Sequence, residues 1–310
     1  MSRSSDDRRL QRTVRNTFRT LRSRRVRSHG FGRRLTDSGQ RHRYRILRRG
    51  RRDHAGAGHG IDAADHDTGL RSRSDRKAVL AETILAYADA DDADGDGISG
   101  RPNMVEGGIG RFGWKAQTST LREFSADALL NELGITTPDF PDEVGPGGGP
   151  VTCDAISDPE DDGSGIEELA VFMQLLAPLQ PGRAPGIGRG RGLFRKIGCT
   201  GCHVMMLRTG ENDSRALHRQ RVRLFSDLLL HDMGPELADG IEQGEAKASE
   251  FRTAPLWGAG RRGPYLHDGR AVTLEQAVLA HGGEAQTVRA RFQALTAEDR
   301  AAVLAFLANL

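Results

Sequence analysis

From residue 77 to the C-terminus, apolar side chains recur at helical spacing in a series of short blocks. Residues 79–87 (VLAETILAY) predict a short amphipathic helix. Blocks at 121–124 and 126–133 follow the Trp114 segment. Residues 166–176 predict a helix with Leu169, Phe172, Met173 and Leu176 on one face, stopped by Pro178 and Pro181. Residues 189–198 form a further short helical block. Residues 274–281 predict a helix with Thr273 as N-cap and Gln276 completing a capping box, ended by Gly282 and Gly283. A last helix starts at Thr296 and carries Val303, Leu304, Phe306 and Leu307. Between these blocks, residues 136–165 are rich in Pro, Gly and Asp and predict a loop holding Cys153, and 179–188 reads as a linker. Residues 225–234 switch from apolar to polar, and 252–258 and 263–270 look irregular. The pattern predicts a mainly α-helical protein in three parts: 1–76, a partial helical N-terminal domain at 77–180, and a helical C-terminal domain at 181–310.

Composition separates the first part from the rest. Residues 1–76 hold 22 arginines, no lysine and eight aspartates, a net of about +14 in a chain whose total is +3. Arginine falls there without helical or strand period, so the segment is expected to be a disordered basic N-terminus. Arginine-rich sequence wholly without lysine is also what a GC-rich gene yields when translated out of frame. The functional rival is a basic arm for nucleic acid or an anionic membrane, and a plain disordered tail with no nucleic-acid partner is favoured over it. Mean hydropathy is −0.53, no apolar run reaches transmembrane length, and no signal-peptide core follows Met1.

The most specific chemistry lies at Cys199-Thr200-Gly201-Cys202-His203, a C-x-x-C-H box. Two thiols at this spacing can each form a thioether to one vinyl group of a c-type haem, and the adjacent His203 then lies under the iron. A zinc site needs more Cys or His at ligand spacing, and the only other cysteine, Cys153, is far upstream. A redox C-x-x-C needs a βαβ setting, whereas this one is helical. Met233, His231, His267 and His281 are candidate sixth ligands. Separately, Asp92, Asp94 and Asp96 alternate ahead of Gly97, as in the first half of a calcium loop. The twelfth position is Asn103 rather than Glu, so an acidic turn is the plain alternative.

Seven phrases together resemble the di-haem oxidoreductases, described as peroxidases or thiol oxidoreductases and distantly related to bacterial di-haem cytochrome c peroxidases. The phrases are DDADGDGISGRPN, GRFGWKAQ, LFRKIGCTGCHV, LLLHDMG, EFRTAPLWG, PYLHDGRA and HGGEA. They span roughly residues 81–310. The resemblance implies two cytochrome-c-like helical domains, one haem in each, in an exported or periplasmic redox protein that meets a redox partner protein or a small-molecule oxidant. In such peroxidases the N-terminal haem is where peroxide reacts and the C-terminal haem relays electrons. This chain has no C-x-x-C-H before Cys199. It is therefore expected to bind one haem c and to keep the relay without the reaction centre, either as an oxidoreductase of this type or as a mono-haem electron carrier. The resemblance favours His281 as sixth ligand, with Met233 the runner-up. It sets Trp114 beside the tryptophan that lies between the two haems, with core packing as the alternative. Tyr265 and His267 are expected in the haem pocket, and Arg270 is a candidate partner for a haem carboxylate because its planar guanidinium suits one, with a plain surface arginine as the alternative.

Overall fold

The computed structural model describes residues 79, 81–106, 108–145, 149, 151, 153–182 and 186–310. The arginine-rich part, 1–76, lies outside them. The described chain is mainly helical, with short β-pairs between helices. Helix α1, Ala81–Leu85, sinks Ile84 into the interior. The short strands β1 (Met104–Val105) and β2 (Gly108–Ile109) pair antiparallel. Helix α2, Leu121–Ala128, is capped by the Thr120 side chain, which accepts from the Glu123 backbone N–H. It runs on through a wider turn, Leu129–Leu133, and stops at Gly134. Helix α3, Ser164–Gln174, packs against α2.

The predicted helix at 189–198 is α4, Ile187–Lys196. Strands β3 (Leu207–Arg208) and β4 (Arg221–Val222) pair, as do β5 (Leu230–Asp232) and β6 (Glu250–Arg252), both antiparallel. The apolar pattern predicts none of these strands. At two or three residues each they are too short to show a period, and β5 and β6 draw their stability from burial. Helix α5, Leu274–Leu279, has the predicted Thr273–Gln276 capping box. Helix α6, Gln286–Gln293, has no counterpart in the sequence reading, because only Val288 and Phe292 mark its apolar face. Helix α7, Ala297–Ala308, starts from the Thr296 cap.

The core nearest the C-x-x-C-H box forms where α4 crosses α7. A Cβ on Gly190 would stand 2.0 Å from the Ala302 carbonyl oxygen and 2.8 Å from Phe306 Cβ, so only glycine lets the two backbones approach this closely. Phe194 and Phe225 both pack edge-on against Phe306, with Phe292, Val303 and Leu307 around them. A second cluster joins Ile84 of α1 to Val204, Leu207, Leu224, Leu228 and Leu229. Residues 79–118 are tied to the later chain by polar bonds as well. Arg101 and Leu230 exchange backbone hydrogen bonds, and the Arg101 guanidinium forks onto Glu250 at 2.8 and 2.6 Å. Lys115 is fully buried. Its Nζ donates to the carbonyls of Lys247, Ala248 and Glu250 and lies 3.2 Å from Asp239.

Candidate functional site

Two residues past α4 lies Gly198, whose φ of +100° is a left-handed conformation that favours glycine. A single tight turn, Cys199–Gly201, follows. It sets both cysteines and His203 on the wall of one cavity of about 700 Å³, within the range of cofactor pockets. Phe194, Phe251, Leu256, Val278, Phe292 and Leu307 supply apolar wall. Neither thiol is in a disulfide. Burial pushes Cys199 up to about 12 and also raises Cys202, so both sulfurs are held as thiols.

His203 is turned by a bond between its Nδ1 and the Phe225 carbonyl, 2.9 Å away. A carbonyl only accepts, so Nδ1 carries the proton and Nε2 presents its lone pair. Burial lowers the His203 pKa to about 4 and keeps the ring neutral, the form that binds metal. His281, just beyond α5, repeats the arrangement. Its Nδ1 lies 2.7 Å from the Ala277 carbonyl, and burial lowers its pKa as well. The two ring centroids are 6.5 Å apart, at an interplanar angle of 48°. Two metal–nitrogen bonds of about 2 Å each, with the rings' own half-widths, need about 6 Å. The spacing of the two rings is therefore compatible with both imidazoles binding a single metal ion. Together with the neighbouring thiols and the cavity, this residue set fits a covalently held haem.

The other candidate ligands differ. His231 lies between two carboxylates: Nε2 is 2.9 Å from Asp227 and Nδ1 is 2.8 Å from Glu284, with Cys202 Sγ at 3.5 Å. Burial alone would lower its pKa, but the bonds to Asp227, Cys202 and Glu284 prevail and hold it up to about 12. A charged ring with both nitrogens engaged has no lone pair to give. His267 stacks on Phe251 at 4.2 Å and meets Trp114 edge-on at 6.4 Å. Met233 lines the cavity, as do Trp114 and Tyr265. Trp114 is 48% exposed, so it is not packed in the core. Tyr265 donates its hydroxyl to the Ala259 carbonyl at 2.9 Å.

Arg270 pairs with Asp268 and bonds the Glu236 carbonyl, and it is not among the described residues that line the cavity. Arg252, Arg262 and Arg289 line it instead. Neither they nor the Asp227–His231–Glu284 clamp emerged from the sequence. The relevant signal was present in EFRTAPLWG and HGGEA, but only the fold shows which of those side chains turn inward.

The acidic turn is assembled differently from the calcium-loop reading. Carboxylate oxygens of Asp89, Asp92 and Asp94 lie within 4.8 Å of one another. Asp96 instead accepts from the Ile98 N–H at 2.8 Å. Asn103 is fully buried, and its side chain bonds the backbone of Lys115, Gln243 and Glu245, so its oxygen is engaged away from the turn.

A family model described as "Di-haem oxidoreductase, putative peroxidase" matches residues 75–310. This is the class of haem-associated oxidoreductase to which the phrases and the cavity point. The match covers most of the chain, and the chain belongs to that family. Hydrazine synthase from Kuenenia stuttgartiensis, solved under xenon pressure, is a structural neighbour at 18% identity and a TM-score of 0.34. The likeness covers 50% of this chain and 57% of that one, so this chain spans little more than half of that protein. No curated protein matches.

Proposed function

We propose that residues 181–310 form a cytochrome-c-like domain that binds one haem c and that the protein works by one-electron transfer. Residues 77–180 are then the remnant of the N-terminal domain. Cys199 and Cys202 would hold the haem through thioethers, and His203 and His281 would ligate its iron. The observation that carries this is the pair of neutral imidazoles 6.5 Å apart, each with Nδ1 committed to a backbone carbonyl. Bound haem supplies a reversible Fe(III)/Fe(II) couple. The chain's own contribution is to fix both imidazole tautomers, keep both rings neutral and line the couple with apolar side chains.

Within the family's peroxidase-like chemistry, this arrangement favours the electron-carrier reading. With His281 as a second iron ligand beside His203, the coordination position that a small oxidant such as peroxide needs would be taken. The partner is a redox protein, met in the periplasm or outside the cell. Among the described residues no helix is long and apolar enough to cross a membrane. The Asp89–Asp92–Asp94 turn is the place where calcium would add to this fold.

The test is electron paramagnetic resonance and absorption spectroscopy on ferric protein matured by a c-type haem assembly system. The reading predicts a low-spin, bis-histidine spectrum. His281→Ala should become high-spin and gain peroxide reactivity, whereas His281→Met should stay low-spin at a higher reduction potential. A high-spin unsubstituted protein, or one indifferent to loss of His281, would remove His281 from the reading.

A further inference from the structure

Arg252 and Arg262 stand out among the charged groups on the cavity wall. Arg252 donates Nε to the Gly113 carbonyl at 2.9 Å and Nη1 to the Thr253 carbonyl at 3.3 Å. Arg262 donates Nη2 to the Pro255 carbonyl. Among the described residues neither has a carboxylate within ion-pair reach, unlike Arg101, Arg122, Arg189, Arg219 and Arg270. Both guanidiniums line the same cavity. Burial first, then the charge of Arg262, draws the Arg252 pKa down to about 10, and burial lowers Arg262 too. A guanidinium buried on a mostly apolar wall is costly unless an anion pairs with it, and Asp227, the carboxylate whose charge reaches Arg252, is engaged by His231. A guanidinium with free N–H groups matches a carboxylate as a two-pronged donor.

We propose that Arg252 and Arg262 are the seat of the two haem propionates, in place of Arg270. The inference rests on the haem reading above. It makes the β6 end and the loop after it the recognition element for the cofactor's acidic edge, while the Cys199–His203 turn grips the vinyl edge and the iron. Recognition at opposite edges fixes how the macrocycle is turned in the cavity. Apart from the haem-binding set Cys199, Cys202, His203 and His281, the other charged or titratable groups on the same wall are Arg289, Asp127, Glu132, His231, His267 and Tyr265. Asp127 and Glu132 carry the wrong sign for this role.

The test uses the full chain, matured with haem, in unsubstituted form and as Arg252→Gln, Arg262→Gln, Arg252→Lys and Arg270→Gln. Resonance Raman spectra report the propionate-bending band, and redox titration reports the midpoint potential. Both Gln variants at 252 and 262 should shift the propionate band down and lower the potential, because removing a cation from beside the haem favours the ferric state. Arg252→Lys should recover most of the potential and only part of the band shift. Arg270→Gln should change neither. If Arg252→Gln fails to accumulate, the more exposed Arg262→Gln decides alone. Unchanged propionate bands in the haem-loaded variants, or a response confined to Arg270→Gln, would overturn the assignment while leaving the iron ligands standing. Absence of covalent haem from the unsubstituted chain would instead overturn both readings, so the two failures are distinguishable.

Discussion

Helix α4 contains three glycines that look equivalent in the sequence Ile187-Gly188-Arg189-Gly190-Arg191-Gly192, yet the structure gives Gly190 and Gly192 opposite roles. Alanine is the better helix former by about 1 kcal/mol at an interior position. At Gly192 the added Cβ meets nothing within 4 Å. Gly192→Ala should therefore stabilise the protein by about 0.5–1 kcal/mol. At Gly190 the same methyl would lie 2.0 Å from the Ala302 carbonyl oxygen, 2.8 Å from its carbon and 2.8 Å from Phe306 Cβ. Two of those atoms are backbone of α7, so relief requires the helices to part by more than an ångström. Overpacking of this kind costs about 1–3 kcal/mol or more and outweighs the gain in propensity. In a domain of this size, each kcal/mol moves Tm by about 2–4 °C. The assay is thermal and urea unfolding of haem-loaded unsubstituted protein, Gly190→Ala and Gly192→Ala, followed by circular dichroism and by the haem absorption band. Gly190→Ala should unfold several degrees lower and Gly192→Ala a few degrees higher. Shifts of the same sign in both variants would refute the claim that a close α4–α7 crossing holds the attachment turn in place.

Other consequences concern the polar scaffold. His231→Gln removes a cation from between Asp227 and Glu284, and breaking such a buried ion pair costs about 3–5 kcal/mol. The sign of its pH dependence follows from a folded pKa raised to about 12. The His231 contribution is complete below the ordinary histidine value of about 6.5. It is lost as pH rises from there towards the folded value. The stability gap between unsubstituted protein and His231→Gln should thus be widest near pH 6 and narrow by pH 9. A gap that widens with pH would mean that His231 is not held as the imidazolium. If calcium binds at Asp89, Asp92 and Asp94, millimolar calcium should raise Tm in unsubstituted protein but not in Asp92→Asn, and magnesium should do less. Equal Tm values with and without calcium would leave the cluster a plain acidic turn.

Much of the helical frame was legible because caps and punctuation are local. Thr273 with Gln276, and Thr296, each act within one turn of the chain and lie where the sequence places them, whereas the helix after Thr273 ends at Leu279 with Ala280 as its cap, before the two glycines. The C-x-x-C-H box was legible for the same reason. What stayed hidden depends on distant partners. The capacity of His281 to face His203 depends on α5 docking beside the attachment turn, across 78 positions of sequence. His231 looked like a ligand until Asp227 and Glu284 occupied both its nitrogens. Arg270 looked like the partner of a haem carboxylate because of its residue type, but Asp268, two residues away, occupies it. Arg252 was passed over in a segment read as irregular that instead begins at the end of β6. Asn103 stood at the closing position of a calcium loop in sequence, yet its buried side chain ties Lys115 to the 243–245 turn.

The central claim is that Cys199, Cys202 and His203 hold one covalent haem. The most direct measurement is haem per chain, by pyridine haemochrome assay and intact mass, on protein exported through a c-type haem maturation system. The account predicts one haem per chain, bound through two thioethers and abolished in Cys199→Ala/Cys202→Ala. A chain that matures with no covalent haem, its two thiols still free, would contradict it.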